Sequence, residues 1–289
     1  MTIVCATHFT DSSLAAIKVA AQLARTHRER LCVLNVVPPA QSSSGSEKDV
    51  EISAVNGTIS QLASEGIVIN TTTVCGPLAS AVRQACAVNR ASLLVVGDSH
   101  QTLGPLIVGP LDRFADSIGV PSLIVRDATP FAAWSAGTGP LKVMLAMDGT
   151  WKSAAAREWI IRLSAFGPID LVASYLWWPK DERQPRAWAL VAQRLEAEAA
   201  FAGLPSNVKA RIRLEVGCPK IGPQLLALAK ANHADVFVLG THPHRGPVGQ
   251  QWSVSHEVLA LAPMSVACIP DPVVRSTRTP SQHGFRAAS

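Results

Sequence analysis

Two polar stretches in the second half of the chain follow apolar runs and have the residue types of a ligand site. Asp148, Gly149 and Thr150 come directly after the apolar run 143–147. The second stretch follows the run 236–239, and its candidate residues are Gly240, His242, Ser253 and Val254. A glycine-bearing loop that leads into a helix start can direct backbone N–H groups at phosphate oxygens. The pattern therefore indicates a site for an anionic small ligand, with a loop that serves turn geometry alone as the alternative.

The first half has the same order of apolar runs and polar stretches, but it offers fewer hydrogen-bond donors to an anion. His8 follows its first apolar run, where the second half has Asp148. Pro110 stands near the start of its last helix, where the second half has Ser253. A proline has no backbone N–H and no hydroxyl to offer to a phosphate. We therefore expect the better site in the second half.

These polar stretches require strands that end at one edge of a sheet. Continuous apolar runs suited to buried strands occur near 2–7, 31–37, 67–75, 92–97, 121–126, 141–147, 168–176, 207–217, 235–240 and 264–269. Helix-like segments lie between them, near 11–27, 49–65, 77–89, 110–118, 151–166, 181–203, 220–232 and 253–261. Strands that alternate with helices predict an α/β fold with doubly wound, mostly parallel sheets. Ligands of such sheets bind beyond the carboxyl ends of the strands.

The strand–helix pattern occurs twice along the chain. The run Leu93–Gly97 is echoed by Val236–Gly240, and Pro121–Val125 is echoed by Met264–Cys268 at the same offset. Landmarks in the same order predict a duplicated domain, and a stretch with Pro and Gly between the copies breaks the pattern. The predicted division is a first domain at 1–128, a linker at 129–139, a second domain at 140–272 and a disordered tail at 273–289.

The last helix of the second half carries the most specific family signature. The stretch Ser253–Val266 runs through this helix to an Ala-Pro-x-x-Val end, and Gly217-Cys218-Pro219 precedes the third helix. Together with a polar residue after the first strand and a Gly-rich loop after the fourth, this pattern resembles the universal stress protein family. The resemblance covers both halves and implies two tandem domains with five-stranded, adenine nucleotide alpha hydrolase-like sheets. It also implies an internal pseudo-dimer, in which Pro121–Val125 and Met264–Cys268 associate.

ATP-binding members of this family carry an Asp after the first strand, which holds the adenine, and a Gly-rich loop after the fourth strand, which wraps the ribose and phosphates. The resemblance gives the first role to Asp148 and the second to the loop that ends at Ser253. Pro243 and Trp252 replace the second and third glycines of the family's loop, which is also one residue short here. The first half has His8 in place of the Asp. We therefore expect at most one degenerate nucleotide site, in the second half, with ATP or another adenine nucleotide as its ligand.

Other function classes find little support in the sequence. The six cysteines are far apart and form no C-x-x-C pair, which predicts reduced structural thiols and no metal site. No phosphate-loop motif or nucleophile elbow occurs, so we predict no catalytic residues. The net charge of +5 includes no basic cluster interleaved with aromatic residues, which disfavours a nucleic-acid surface. No apolar run reaches the about 18 residues of a membrane span, and a soluble cytoplasmic protein is the expectation.

Given the resemblance, the leading hypothesis is a non-catalytic stress-response protein that senses a small ligand or a protein partner, as a monomeric tandem unit or a homodimer. One alternative is an ATP-binding module with slow ATP hydrolysis, in which Asp148, His242 and Ser253 surround the nucleotide. A second alternative is a pure interaction protein with two vestigial sites, in which the Trp-rich surface of the second half binds the partner.

Overall fold

The structure, a computed structural model, describes residues 2–7, 11–37, 46–97, 118–147, 152–177, 201–216, 220–241 and 254–270. Several sequence-based predictions lie outside the described residues. They concern His8, Pro110, Asp148, Gly149, Thr150, His242 and Ser253, most of the predicted helices at 110–118 and 181–203, and the predicted tail at 273–289.

In the first half, strands and helices alternate along the chain. The strands are β1 (Thr2–Thr7), β2 (Arg30–Val37), β3 (Ile69–Cys75), β4 (Ala91–Gly97) and β5 (Ser122–Val125). The described helices are α1 (Asp11–His27), α2 (Ser46–Ser64) and α3 (Leu78–Val88). These bounds lie within a few residues of the predicted ones.

The second half repeats the alternation after a short connecting helix, α4 (Thr129–Ser135). Its strands are β6 (Leu141–Met147), β7 (Ile169–Trp177), β8 (Val208–Val216), β9 (Val236–Thr241) and β10 (Ser265–Pro270). Its described helices are α5 (Lys152–Leu163), which continues into a 3-10 turn at Ser164–Phe166, α6 (Ile221–Ala231) and α7 (Val254–Leu261).

The described strands form one ten-stranded sheet in the order β3-β2-β1-β4-β5-β10-β9-β6-β7-β8. Strands within each half pair parallel to their neighbours. Between the halves, β5 and β10 pair antiparallel, with Leu123 opposite Ala267 and Ser122 opposite Cys268. The predicted α/β fold with a mostly parallel sheet is confirmed. Because the strand direction reverses between β5 and β10, the carboxyl ends of the two halves lie at opposite edges of the sheet.

Apolar side chains cover both faces of this sheet. On one face a single cluster runs through both halves and includes Ile17 of α1, Leu145 of β6 and Ile160 of α5. The other face carries two clusters, one against α3 in the first half and one against α6 and α7. The continuous cluster on the first face means that the two halves share part of their hydrophobic core.

The segment predicted as an irregular linker contains the helix α4, so the prediction missed an element there. Pro130 lies in the first turn of the helix, where the missing N–H of a proline costs no hydrogen bond. The side chains of Phe131 and Trp134 are buried, and the Trp134 ring packs on that of Phe166 with 5.9 Å between ring centroids. A Cβ at Gly167 would stand 2.5 Å from Trp134 Nε1, which explains the glycine at this position. The connecting segment therefore packs against the rest of the protein through the side chains of Phe131 and Trp134.

Arg126, directly after β5, binds the end of α7 in the other half. Its guanidinium donates hydrogen bonds to the carbonyl oxygens of Leu259 and Ala262, and to that of Met264 at 3.3 Å. Its backbone N–H donates to Ser265 Oγ at 3.2 Å. The last carbonyls of a helix have no partners within the helix, and a cation there also interacts favourably with the helix dipole. Arg126 therefore caps α7 and ties the two halves together.

We predict that Arg126→Ala lowers the free energy of unfolding by about 1.5–3 kcal/mol, the range for hydrogen bonds to charged groups. Chemical denaturation followed by circular dichroism measures this change. Arg25→Ala is the matched control, because Arg25 pairs with the exposed Glu65 at 3.6 Å and such pairs contribute about 0–1 kcal/mol. Equal losses in the two variants would contradict the capping role.

Asp235 lies where the connecting segment meets the second half. Its Oδ2 accepts a hydrogen bond from the backbone N–H of Lys142 at 2.9 Å, and its own N–H donates to the Lys142 carbonyl oxygen. Burial raises the pKa of the Asp235 carboxyl, the bond and charge of Lys142 oppose that rise, and the negative charge of Asp127 adds to it. The ionised carboxylate is therefore less favourable in the folded protein than in the unfolded chain.

A raised pKa in the folded state contributes stability at low pH that is lost as the pH rises through the folded pKa. Asp235→Asn removes this dependence and keeps an oxygen that accepts the Lys142 N–H. We expect the free energy of unfolding of the variant, relative to the wild type, to increase as the pH rises from about 4, the ordinary pKa of an aspartate, to about 7. Urea denaturation at both pH values measures it, and a difference that is the same or smaller at pH 7 would contradict the prediction.

Candidate functional site

The candidate site lies where β6 ends, between β7 and β9. The chain leaves β6 for β7 on one side, whereas β9 pairs with β6 on the other side. Crevices that bind ligands form at such a switch in strand order, beyond the carboxyl ends of the strands. Met147 is the last residue of β6 and lies opposite Tyr175 of β7. The predicted residues 148–150 follow at this point of the sheet.

Two hydroxyl groups near this edge are buried and lack partners. The side chains of Ser174 on β7 and Thr241, the last residue of β9, are 1% and 2% exposed. Neither Ser174 Oγ nor Thr241 Oγ1 has a hydrogen-bond partner among the described residues. A buried polar group without a partner costs about 1–3 kcal/mol. These hydroxyls are therefore available to a group that lies beyond the described residues.

Both hydroxyls belong to the face of the sheet that α6 and α7 cover. Thr241 follows Phe237 and Leu239 at the two-residue period of a strand, and these two side chains belong to the cluster against α6 and α7. Ser174 lies opposite Ala146, which packs against the same cluster. The second half thus brings two hydroxyls to the same face, near the carboxyl ends of the strands on either side of β6.

The structure describes two of the seven predicted site residues. Gly240 lies in β9, half-buried and opposite Ile269 of β10. Val254 is the first residue of α7 and is 38% exposed. The backbone N–H groups of the first turn of a helix have no partners within it and attract anions. The described part of the predicted loop therefore begins on a central strand and ends at a helix N-terminus.

The helix α7 is held against α6 by a close contact. Gly222 of α6 is buried, and a Cβ there would stand 2.9 Å from Glu257 Cβ on α7. Only a residue without a side chain allows this approach. The position of the α7 N-terminus relative to β9 therefore depends on Gly222 as well as on the cap by Arg126.

The first half presents an apolar residue at the position of Ser174. Ala6 of β1 lies opposite Leu34 of β2, just as Ala146 of β6 lies opposite Ser174 of β7. Leu34 is fully buried in the cluster against α3. The two equivalent edges therefore differ, and the second half is the more polar one at this position.

Most of the described cysteines lie in the protein interior. Cys5, Cys32, Cys86 and Cys268 are buried, and Cys75 is exposed. Burial raises the pKa of the Cys86 thiol to about 12 and also raises the pKa of Cys5 and Cys32. In the part of the chain that the structure describes, no three His, Cys, Asp or Glu side chains are grouped so that they could hold a metal ion. None of the described helices is long and apolar enough to cross a membrane.

The sequence analysis missed Ser174 and Thr241 as candidate site residues. Thr241 directly follows the predicted Gly240, and its place on the same face of the strand as Phe237 and Leu239 could be found from their alternation in the sequence. Ser174 carried no such signal, because its burial and its position opposite Ala146 depend on the pairing of β6 with β7.

Comparisons with known proteins agree with this fold. The crystal structure of a universal stress protein from Archaeoglobus fulgidus DSM 4304 is similar with a TM-score of 0.63 and 14% sequence identity, over 93% of this chain and 98% of that one. The crystal structure of a putative universal stress protein from Pseudomonas aeruginosa UCBPP-PA14 gives a TM-score of 0.66 and 16% identity, over 93% and 92% of the two chains. At these identities the similarity concerns the fold alone.

Sequence comparison gives a match for the first half. None of the curated proteins that were compared matches the chain. The family model described as the universal stress protein family matches residues 1–126. The match to this family therefore covers the first half of the chain.

Proposed function

We propose that the protein is a tandem universal stress protein whose second half binds one adenine nucleotide at the carboxyl end of β6. It acts as a non-catalytic, cytoplasmic ligand sensor in a stress response, and passes the occupancy of this site to a protein partner. The observation that carries the proposal is the pair of buried, unpartnered hydroxyls of Ser174 and Thr241 on either side of β6.

The mirrored sheet supports a duplicated domain. The order β3-β2-β1-β4-β5 in the first half corresponds to β8-β7-β6-β9-β10 in the second, and the last strands pair antiparallel as expected for an internal pseudo-dimer. We therefore propose domains at 1–128 and 140–272, joined by the segment 129–139 and followed by the tail 273–289.

Two equivalent helix ends support the duplication at the level of single residues. Asn89 directly follows α3, and its Nδ2 donates to the Ala85 carbonyl oxygen at 2.9 Å. Asn232 directly follows α6, and its Nδ2 donates to the Leu228 carbonyl oxygen at 2.8 Å. The next residues, Arg90 and His233, have φ angles of 47° and 50°. Residues other than glycine rarely adopt this conformation, so its presence at both positions favours a common origin of the halves.

The register of the second half favours a site shared by Asp148 and Thr241. Leu145 of β6 lies opposite Val238 of β9. Asp148 and Thr241 each follow these partners by the same number of residues. We propose that the Asp148 carboxylate binds the adenine, with Gly149 and Thr150 beside it, and that the ribose and phosphates lie toward the N-terminus of α7. The loop residues Gly240, His242, Ser253 and Val254 border that part of the ligand.

In this proposal the first half binds no nucleotide; it stabilises the fold and contributes to the surface that binds the protein partner. Leu34 occupies the position of Ser174, and the sequence offers His8 and Pro110 in place of Asp148 and Ser253. An adenine nucleotide would meet an apolar side chain and fewer donors there. Slow ATP hydrolysis in the second half remains the alternative function, and phosphate release during titration with ATP and Mg²⁺ distinguishes it.

We expect Ser174→Ala to weaken ATP binding by about 5–10-fold, which corresponds to the about 1 kcal/mol of one hydrogen bond. The thermal stability of the free protein should stay the same or rise, because the variant removes an unpartnered hydroxyl. Isothermal titration calorimetry and thermal denaturation of the full chain measure the two effects. Wild-type protein that gives no heat with ATP would contradict the proposed function.

Ser164→Ala is the matched control for this experiment. Ser164 is buried like Ser174, at 3% against 1% exposure, but its Oγ donates to the Ile161 carbonyl oxygen at 2.7 Å, on the turn after α5. We expect this variant to lose about 1 kcal/mol of stability and to keep the wild-type affinity for ATP. If Ser174→Ala instead loses stability and keeps its affinity, the Ser174 hydroxyl serves the fold.

A further inference from the structure

A groove of about 320 Å³ lies at the junction of the two halves. The first half contributes Arg90, Ser92 and Pro121, at the amino ends of β4 and β5. The second half contributes Trp159 and Arg162 of α5, and Pro270 at the end of β10. Its volume is at the lower end of the about 300–1,000 Å³ that is typical of small-molecule sites. The groove lies on the α5 side of the sheet, away from the face that carries Ser174 and Thr241.

The strand β10 ends at this groove. Pro270, which lines the groove, is the last residue of β10, and the segment 271–289 continues from it. The next residues are Asp271, Pro272, Val273 and Val274. A segment that starts inside a groove reaches it at a high effective concentration, so a modest contact energy is sufficient to hold it there.

The charges of the groove suit the start of this segment. Arg90 and Arg162 bring two guanidinium groups to the lining, against the one carboxylate of Glu158, and Asp271 is the residue next to Pro270. Arg162 reaches Glu158 at 3.8 Å, in a pair whose side chains are 76% and 61% exposed. Such an exposed pair is weak, and Arg162 can exchange it for a second carboxylate at little cost.

The segment that follows β5, the last strand of the first half, packs against the rest of the protein. After β5 the chain passes Asp127 and enters α4, which packs on α1 through the buried Phe131 and Trp134. In the second half α5 takes the place of α1, and the segment after β10 takes the place of the segment after β5. The surface of α5 has no such cover among the described residues, and its Trp159 is half-buried in the groove.

We propose that the segment Asp271–Val274 docks in this groove, with the Asp271 carboxylate between the guanidinium groups of Arg90 and Arg162 and the two valines against Trp159. The docked segment contacts α5 and connects the residues after β10 to the amino ends of β4 and β5.

Distance measurement between two spin labels tests the docking in the full chain. One label is placed at Ser60→Cys, an exposed position of α2, and the other at Val274→Cys, with Cys75→Ser and Cys218→Ser to remove competing thiols. We expect a single narrow distance distribution. The control Ala287→Cys, farther along the same tail, should give a broad one. A distribution at residue 274 as broad as that at residue 287 would overturn the proposal.

A charge reversal in the groove identifies where the segment is held. Arg90→Glu with Arg162→Glu should broaden the distribution at residue 274 and raise amide hydrogen exchange in α5 several-fold, while exchange in α1 stays unchanged. A narrow distribution that survives this double variant would place the segment elsewhere and overturn the proposal. Protection of α5 that increases with protein concentration would also overturn it, because a second copy would then occupy the groove.

Discussion

The antiparallel pairing of β5 with β10 is the contact on which the rest of the structure depends. It joins two five-stranded halves into one sheet, and the paired residues Leu123 and Ala267 are fully buried. Without this pair each half would expose the backbone of an apolar edge strand, which favours aggregation. Because β5 has only four residues, the pairing needs support. That support comes from the cap of α7 by Arg126 and from the core cluster that runs through both halves.

The reversal of strand direction at this pair also determines where the carboxyl ends of the strands lie in each half. The carboxyl ends of the two halves lie at opposite edges of the sheet, so a ligand at one is remote from a ligand at the other. The same reversal brings Pro270, at the end of β10, beside Pro121, at the start of β5. The carboxyl edge of the second half therefore lies beside the amino edge of the first half.

The sequence predicted the elements well and the contacts between them poorly. Runs such as that of β6 are continuous and apolar because both faces of the strand are buried, and they are visible without a structure. The helix α4 was missed because Pro130 was interpreted as a break, although a proline also suits a first helical turn. Ser174 and Arg126 could not be found, because their roles depend on which strand and which helix end lie beside them. The predicted Asp148 stays a prediction from the sequence.

The most direct test of a single ligand site in the second half is calorimetric titration of the full chain with ATP and Mg²⁺, for the wild type, Asp148→Ala and His8→Ala. These two positions follow equivalent strands, β6 and β1, so the variants form a matched pair. The account predicts one nucleotide per chain, binding that is abolished by Asp148→Ala and nearly unchanged by His8→Ala. Two nucleotides per chain, or equal losses of affinity in both variants, would contradict it.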